Sequence, residues 1–258
     1  MKRDILLVGT GNVATHLCRA LSERIYAVVS RNKDNAKVLA ERIEVNNFGS
    51  LNEVPKFLTD IILISVADNA IHEVVNTIGK CDNDPLVMHT SGSVPMECLS
   101  KISHRTGVFY PLQTFSKNTP VDMSIVPFFT EAINSADLET IDNIAQSISG
   151  TVHHANAKQR RKLHLAGVFS SNFVTALLQM TQDILQNEEY PLSTVQPLVN
   201  ANIEKVFAIG PKAAITGPAR RGDKQIIELQ KESLCEPLDE IYSGLTNYIL
   251  SKYNVTLR

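Results

Sequence analysis

The sequence has few of the features that mark metal centres, membrane proteins or nucleic-acid-binding proteins. Its four cysteines are scattered, with no C-x-x-C and no Cys/His spacing typical of zinc, so no metal site is predicted. The formal net charge is −2 without a basic block, which argues against nucleic acid or a membrane surface as a partner. No apolar run reaches the roughly 20 residues that span a bilayer, and no signal peptide is evident. We therefore expect a cytoplasmic protein that acts on a small molecule.

The most informative segment is a pair of glycines that follows an apolar run near the start of the chain. The run Ile5–Val8 ends in Gly9-x-Gly11-x-x-Ala14, and an amphipathic helical pattern follows. The first glycine permits a tight strand-to-helix turn, the second lets the backbone approach a pyrophosphate, and the small alanine lets the helix pack on the sheet. The helix N-terminus adds free N–H groups and a positive dipole end. The alternative is an ordinary strand–turn–helix, but the context favours a dinucleotide site. The residues predicted to hold the pyrophosphate are Gly9, Thr10, Gly11, Asn12 and Val13.

The residues after the second apolar run indicate which dinucleotide binds. An NAD site usually places Asp or Glu at this strand end, where it accepts hydrogen bonds from the ribose 2′-hydroxyl. This chain has Ser30 and Arg31 instead, with Lys33 close by. A guanidinium can pair with the 2′-phosphate of NADP, whereas a carboxylate would repel it. The pattern favours NADP over NAD as the cofactor, with a solvated charged loop as the alternative.

Two halves of the chain have different hydrophobic periods. The first 155 residues alternate short apolar runs, including a strand over residues 45–48, with helical patterns, which predicts a doubly wound, Rossmann-like α/β sheet. From residue 158 the pattern is helical. A helix over residues 159–187 is apolar on nearly every face, as in a core or an oligomer interface, and helices over 195–209 and 224–252 follow. We predict a dinucleotide-binding domain over residues 1–155 and an all-α domain over residues 156–258.

Small and polar residues follow the predicted central strands. Ligands of doubly wound sheets bind outside the carboxyl ends of the strands, so these residues should line the site. Thr-Ser-Gly-Ser after the fifth strand is also an ordinary turn sequence, and Asp68 after the fourth strand could simply cap a helix. The residues predicted to lie near the cofactor are Val66, Ala67, Ser91 and Gly92. Gln113, after the sixth strand, is predicted to contact the substrate.

The long predicted helix carries a polar stripe. At 100° per residue His164, Gly167, Val168 and Ser171 share one face, with Asn172 at its margin. Buried polar groups need partners, so this face meets either a polar network or a ligand. Histidine suits general acid work near neutral pH, and we predict that His164 and Asn172 are catalytic, although a structural histidine is the alternative.

A sharp loop lies between two of the predicted helices. Gly217-Pro218 is followed by Arg220-Arg221-Gly222-Asp223, which places two positive charges and one carboxylate close together. Such a loop is either a solvated helix connection or a lid over the cleft. We predict that Arg221 and Asp223 bind substrate, with Arg221 meeting an anionic group.

The chain as a whole resembles the superfamily of 6-phosphogluconate and β-hydroxyacid dehydrogenases, pyrroline-5-carboxylate reductase and deazaflavin-dependent NADP oxidoreductases. More narrowly, it is similar to a bacterial family that pairs a Rossmann-like domain with a helical domain of unknown function. The segments that carry this narrower resemblance are His89-Thr90-Ser91-Gly92, Pro111-Leu112-Gln113-Thr114-Phe115, His164-x-x-Gly167-x-x-x-x-Asn172-Phe173 and Gly217-Pro218-x-x-Arg221-Gly222-Asp223. The resemblance implies a helical domain like the 6-phosphogluconate dehydrogenase C-terminal domain, a homodimer through that domain, and a cleft between domains.

One departure from the superfamily bears on catalysis. β-Hydroxyacid dehydrogenases have a catalytic lysine four residues before an asparagine on the first long helix of the second domain. Counting back from Asn172 gives Val168, which cannot donate a proton. Either His164 replaces the lysine, or the substrate is an imine, or the protein binds nucleotide without turnover.

Three functional hypotheses follow, the last being a purely structural Rossmann-like module with an empty site. The first is an NADP-dependent oxidoreductase that transfers a hydride between nicotinamide and a small carbonyl or imine. The second is a non-catalytic NADP(H)-binding protein that senses redox state and regulates a partner. Fold resemblance alone does not decide between them.

Overall fold

The computed structural model describes residues 3–186 and 188–258, which form two compact units: residues 3–172, and residues 173–258 without residue 187. The predicted domain boundary at residue 156 coincides with the start of a helix that belongs to the first unit. The division into functional domains stays a prediction.

The first unit is built on one mixed sheet. Its strands are β1 Ile5–Val8, β2 Ile25–Ser30, β3 Phe48–Ser50, β4 Ile61–Ile64, β5 Leu86–His89, β6 Thr106–Pro111, β7 Phe128–Ala132 and β8 Val152–His154. Their order across the sheet is β3-β2-β1-β4-β5-β6-β7-β8, and every neighbouring pair is parallel except β6 with β7. The first six strands follow the order of a Rossmann fold, so the predicted fold class is confirmed. The chain reverses direction across the sheet between β1 and β4, where ligands of such sheets bind.

Helices cover both faces of the sheet. They are α1 Asn12–Ala20, α2 Lys33–Glu41, α3 Ile71–Ile78, α4 Ser135–Gln146 and α5 Ala157–Gly167. Alternate residues of a strand point to opposite faces, so Leu7 packs with the cluster that contains α1, α2 and α4, and Leu6 packs with the cluster that contains α3. All four residues of β1 are fully buried, which explains why the central strands are continuously apolar.

The predicted strand over residues 45–48 is displaced. The strand that pairs with β2 is Phe48–Ser50, and Val45 instead packs in the core from the preceding loop. Glu44 has a positive φ of 55°, so the chain turns just before Val45 rather than running straight into the strand. The apolar signal at Val45 reflected burial in a loop.

The second unit is all-helical. It contains α6 Phe173–Leu185, α7 Gln196–Ile209, α8 Pro211–Ala214, α9 Pro218–Arg221, α10 Lys224–Glu232 and α11 Leu238–Lys252. The predicted helix over 159–187 is present as α5, a π-helical turn at Val168–Asn172, and α6; its last predicted residue lies outside the described residues. The single helix predicted over 224–252 is wrong: the chain leaves helical geometry after Glu232, and Pro237, which has no N–H to donate, precedes α11.

The helical run Ala157–Leu185 contains an 18-residue window with a mean hydropathy of 1.2, so it is long and apolar enough to cross a membrane by length and composition. A single such helix is weak evidence for a membrane span, because helices that mediate packing in soluble proteins have the same composition.

Candidate functional site

The two glycines of the first turn have different roles. Gly9 has φ +122°, and a Cβ at this position would lie 2.1 Å from the carbonyl oxygen of Ser65 at the end of β4. Only glycine fits there, because the turn passes directly over the neighbouring strand. Gly11 has an ordinary extended conformation, and a Cβ on it would meet nothing within 4 Å. The fold therefore needs Gly9, whereas Gly11 faces open space in front of α1.

That open space suits an anion. No side chain caps the N-terminus of α1 and its first turn carries no acidic residue, so the N–H groups of that turn and the positive end of the helix dipole face the space. These are the features that bind a dinucleotide pyrophosphate.

A cavity of about 420 Å³ extends from this turn across the carboxyl ends of β1, β2 and β4. Seven of the residues predicted to bind the cofactor line it: Gly9, Thr10, Gly11, Ser30, Arg31, Val66 and Ala67. The residues present fit a dinucleotide, since a backbone anion site and a guanidinium at the end of β2 open into one cavity at the reversal point of the sheet.

Among the described residues that line this cavity, Arg31 is the only cation. Its guanidinium is exposed and lies 3.9 Å from the carboxylate of Glu73 on α3. Lys33, which the sequence also places nearby, pairs with Glu53 at 3.2 Å. The pKa of Glu53 is lowered to about 2, chiefly by hydrogen bonds from Ser50 and also by Lys33. Arg31 is therefore the group available to a 2′-phosphate.

The side chains of the next two predicted residues point away from the cavity. The Asn12 amide donates to the carbonyl oxygen of Phe115 at 2.9 Å, and Val13 packs against the core. Only their backbone N–H groups, in the first turn of α1, remain for an anion. Their cofactor contact stays a prediction.

Ser91 and Gly92 do not line the 420 Å³ cavity either. The Ser91 hydroxyl accepts hydrogen bonds from the backbone N–H groups of Ser93 and Val94 and so shapes the turn after β5. Gly92 lies beneath the ring of Tyr110, where a Cβ would approach Cζ to 2.6 Å. The turn interpretation thus accounts for the hydroxyl of Ser91, and Gly92 makes room for an aromatic ring.

A second cavity, of about 350 Å³, brings together three residues predicted to act on substrate: Gln113, His164 and Asn172. It opens at the end of β6 and is bounded by α5 and the π-helical turn. Its other lining residues are Tyr110, Leu112, Thr114, Phe115, Gly167, Val168, Ser170 and Ser171. The polar stripe predicted from helical spacing therefore faces a cavity.

Tyr110 is the principal side chain of this cavity that the sequence analysis missed. The Tyr110 hydroxyl lies 3.2 Å from Nδ1 of His164. The Tyr110 side chain is buried, whereas His164 is exposed. Burial, reinforced by the nearby Asp68 carboxylate, raises the pKa of Tyr110 to about 12, so the hydroxyl is protonated at neutral pH. The rule that selected Gln113, position at the carboxyl end of β6, could also have selected Tyr110.

A buried arginine fixes the helix that carries His164. Arg160, one turn earlier on α5, is fully buried; its guanidinium pairs with Glu131 and donates to the carbonyl oxygens of Ala155 and Val94 at 2.9 and 3.2 Å. Residues four apart lie on the same helix face, so these bonds also orient His164.

The buried His89 lies at the end of β5, in the same region of the sheet. Burial, together with the Arg160 charge, lowers the pKa of His89 to about 4. Its Nδ1 accepts a hydrogen bond from the backbone N–H of Ser91 at 3.1 Å. His89 is therefore a neutral structural side chain at physiological pH.

The loop that contains Arg221 and Asp223 lies in the second unit. Asp223 caps α10 by accepting a hydrogen bond from the backbone N–H of Ile226, and Arg221 is exposed at the end of α9. Gly222 has φ +75°, and a Cβ at this position would lie 2.4 Å from the carbonyl oxygen of Thr256. The loop thus has a structural role, and substrate contact by Arg221 and Asp223 stays a prediction.

Comparisons with known proteins agree with this geometry. The model of the family "NADP oxidoreductase coenzyme F420-dependent" matches residues 4–91, and that of the domain of unknown function DUF2520 matches residues 126–249. A Bacteroides fragilis protein proposed to be an NADP oxidoreductase is 34% identical over 96% of this chain and 97% of its own, with a TM-score of 0.88. The chain belongs to the same family as this Bacteroides fragilis protein. No functionally curated protein matches it.

More distant structures share the fold alone. An imine reductase from Myxococcus stipitatus in complex with NADP+ is 13% identical, with a TM-score of 0.64 over 97% of this chain and 95% of its own. A 1-pyrroline-5-carboxylate reductase from Streptococcus pyogenes is also 13% identical, with a TM-score of 0.63 over 96% of this chain and 97% of its own. The fold is a soluble one, and the cytoplasmic location stays a prediction.

Proposed function

We propose that the protein is an NADP-dependent reductase of a small carbonyl or imine compound, with NAD as a poorer cofactor. The observation that carries the proposal is the hydrogen-bonded pair of Tyr110 and His164 in the cavity at the carboxyl end of β6. The family match to NADP oxidoreductases and the anion site at Gly11 support the cofactor. Arg31, which lines the first cavity, is proposed to hold the 2′-phosphate.

The Tyr110–His164 pair can deliver a proton. When His164 is protonated, its Nδ1–H donates to the Tyr110 oxygen, and the Tyr110 hydroxyl hydrogen is then free to bond to a substrate oxygen or nitrogen. When bound, the nicotinamide supplies a hydride to the substrate carbon. As the C=O or C=N π bond breaks, the pair transfers a proton to the oxygen or nitrogen, and solvent returns a proton to the exposed imidazole. Asn172 and Gln113, which line the same cavity, are proposed to orient the substrate by hydrogen bonds.

This proposal accounts for the missing lysine. Val168 lines the same cavity and cannot act as an acid, but His164, four residues earlier on the same helical face, and Tyr110 line this cavity too. The acid of β-hydroxyacid dehydrogenases is thus replaced by a pair from two different elements, α5 and β6.

The test is a screen for loss of nicotinamide absorbance with NADPH and a panel of aldehydes, ketones and cyclic imines. Because general acid catalysis contributes about 10²–10⁴-fold, Tyr110→Phe and His164→Gln should each lower kcat by about 100-fold or more. NADPH binding should be unchanged in both variants. Turnover that survives both substitutions would contradict the assignment of the proton donor.

The second candidate is a protein that binds NADP(H) and regulates a partner without turnover. Val168, in place of the superfamily lysine, is the observation that favours it. Tight NADPH binding together with an inert substrate panel would support it over the reductase.

We also propose that the chain forms a homodimer through its helical unit. No residue of α6 is buried. Exposed apolar side chains of this unit include Leu177, Ile184, Leu198 and Phe207, and Phe207 is 87% exposed. Exposed apolar surface on this scale marks an interface. Analytical ultracentrifugation should give a dimer that Phe207→Glu weakens; a monomer at all concentrations would contradict the proposal.

A further inference from the structure

We propose that Asn12 and His16 couple the dinucleotide site to the substrate cavity by holding the loop of residues 113–116 against α1. The inference rests on the proposed function, because it concerns how the cofactor site communicates with the substrate site. It assigns a positioning role to two side chains that lie outside both cavities.

Two hydrogen bonds and a ring contact join the helix to the loop. The Asn12 Nδ2 donates to the carbonyl oxygen of Phe115 at 2.9 Å. One helical turn later, Nε2 of His16 lies 2.9 Å from the carbonyl oxygen of Ser116 and donates to it, because a carbonyl oxygen only accepts. The rings of His16 and Phe115 are 5.1 Å apart. Residues 12 and 16 therefore lie on the same face of α1, and both contact the loop.

The loop depends on these contacts for its position. In the described structure, residues 112–122 contain no helix or strand between β6 and the short 3₁₀ turn Met123–Ile125. His16 and Phe115 are nonetheless 4% and 9% exposed, so the contact is buried. Phe115, Thr114 and Gln113 form one wall of the 350 Å³ cavity. Asn12 and His16 of α1 thus position the loop residues that line this cavity.

Asn12 connects the two sites. Its backbone N–H is in the first turn of α1, which faces the anion space in front of Gly11, while its side chain holds the loop. A pyrophosphate bound at the N-terminus restrains that turn, and the restraint passes through the Asn12 amide to Phe115. The consequence is that NADP(H) binding and the position of this cavity wall are coupled.

Hydrogen exchange tests the coupling without a substrate. Mass spectrometry would follow the peptide that covers residues 113–119, with and without saturating NADP+. One neutral hydrogen bond contributes about fivefold to an equilibrium, so exchange in the wild type should slow by about fivefold or more when NADP+ binds. In Asn12→Ala this slowing should be lost, although the backbone N–H remains. His16→Gln, whose amide can still donate, should retain more of it than His16→Ala.

Asn83→Ala is the matched control. The Asn83 Nδ2 also donates to a backbone carbonyl at 2.9 Å, that of Thr59, but neither residue lines either cavity. This variant should keep the full effect of NADP+ on residues 113–119, and its melting temperature provides the comparison for the folding of Asn12→Ala. NADP+ that binds without protecting the wild-type loop, or that protects it equally in Asn12→Ala, would overturn the coupling and leave the proposed function intact. Failure of fluorescence titration to detect NADPH binding would overturn both.

Discussion

The two glycines of the first turn provide a sharp separation of folding from ligand binding. At Gly9, an alanine would combine a positive φ of +122° with a Cβ 2.1 Å from the Ser65 carbonyl oxygen. The backbone strain costs about 1–3 kcal/mol and the overpacking a similar amount, so Gly9→Ala should lower the free energy of unfolding by about 2–6 kcal/mol. The close neighbour is backbone, which cannot rotate away.

At Gly11 the same change has a different expected effect. A Cβ there meets nothing within 4 Å, and the φ of −73° suits any residue. Replacing glycine by alanine at a helix N-cap costs less than about 1 kcal/mol, and the stiffer unfolded chain offsets part of that. The methyl group would, however, occupy the space assigned to the pyrophosphate. We expect Gly11→Ala to fold like the wild type and to bind NADPH at least about tenfold more weakly, which corresponds to about 1.4 kcal/mol.

Urea unfolding and NADPH fluorescence titration of both variants are the assays. If Gly11→Ala binds NADPH as tightly as the wild type, the space before α1 does not hold the pyrophosphate and the cofactor assignment fails. If Gly9→Ala is as stable as the wild type, the reasoning from the close approach to β4 is wrong.

Three further predictions concern buried or capping groups. The pKa of His89 is 6.5 in the unfolded chain and about 4 in the folded protein, so the unfolded chain binds the proton first as the pH falls. The free energy of unfolding should therefore decrease by about 3 kcal/mol from pH 6.5 to pH 4. In urea unfolding, His89→Asn should flatten this pH dependence. An unchanged slope would contradict this. Arg160→Met leaves Glu131 unpaired and should lower the free energy of unfolding by about 3–5 kcal/mol, while the exposed Arg161→Met should change it little; equal effects would refute the anchoring role. Asp223→Ala should cost about 1 kcal/mol as a lost helix cap, and a substrate KM that is unchanged would show that capping is its whole role.

Much of the fold could be predicted from the sequence because its signals are local. The apolar run Ile5–Val8 and the two glycines determine a strand, a turn and a helix within a few residues, and the end of β2 places Arg31 beside them. The polar stripe of His164 and Asn172 follows from helical spacing alone. Local periodicity failed where tertiary packing decides, as at Val45, which is buried in a loop, and across residues 233–237, where a helix was expected to continue.

The contacts that organise the site could not be predicted, because they join residues far apart in the chain. Asn12 contacts Phe115, 103 residues away, and Tyr110 contacts His164, 54 residues away. The partner of each side chain depends on strand order and on the register of α5 against the sheet. A single sequence with ordinary turn residues at each strand end does not specify either.

The most direct test of the account is the affinity for NADPH and NADH, measured by nicotinamide fluorescence for the wild type and for Arg31→Asp. The account predicts that the wild type binds NADPH more tightly than NADH, and that the variant loses NADPH affinity while keeping or gaining affinity for NADH, because a carboxylate repels the 2′-phosphate and accepts bonds from the ribose hydroxyl. Wild-type protein that binds neither nucleotide, or an Arg31→Asp variant that binds NADPH unchanged, would contradict it.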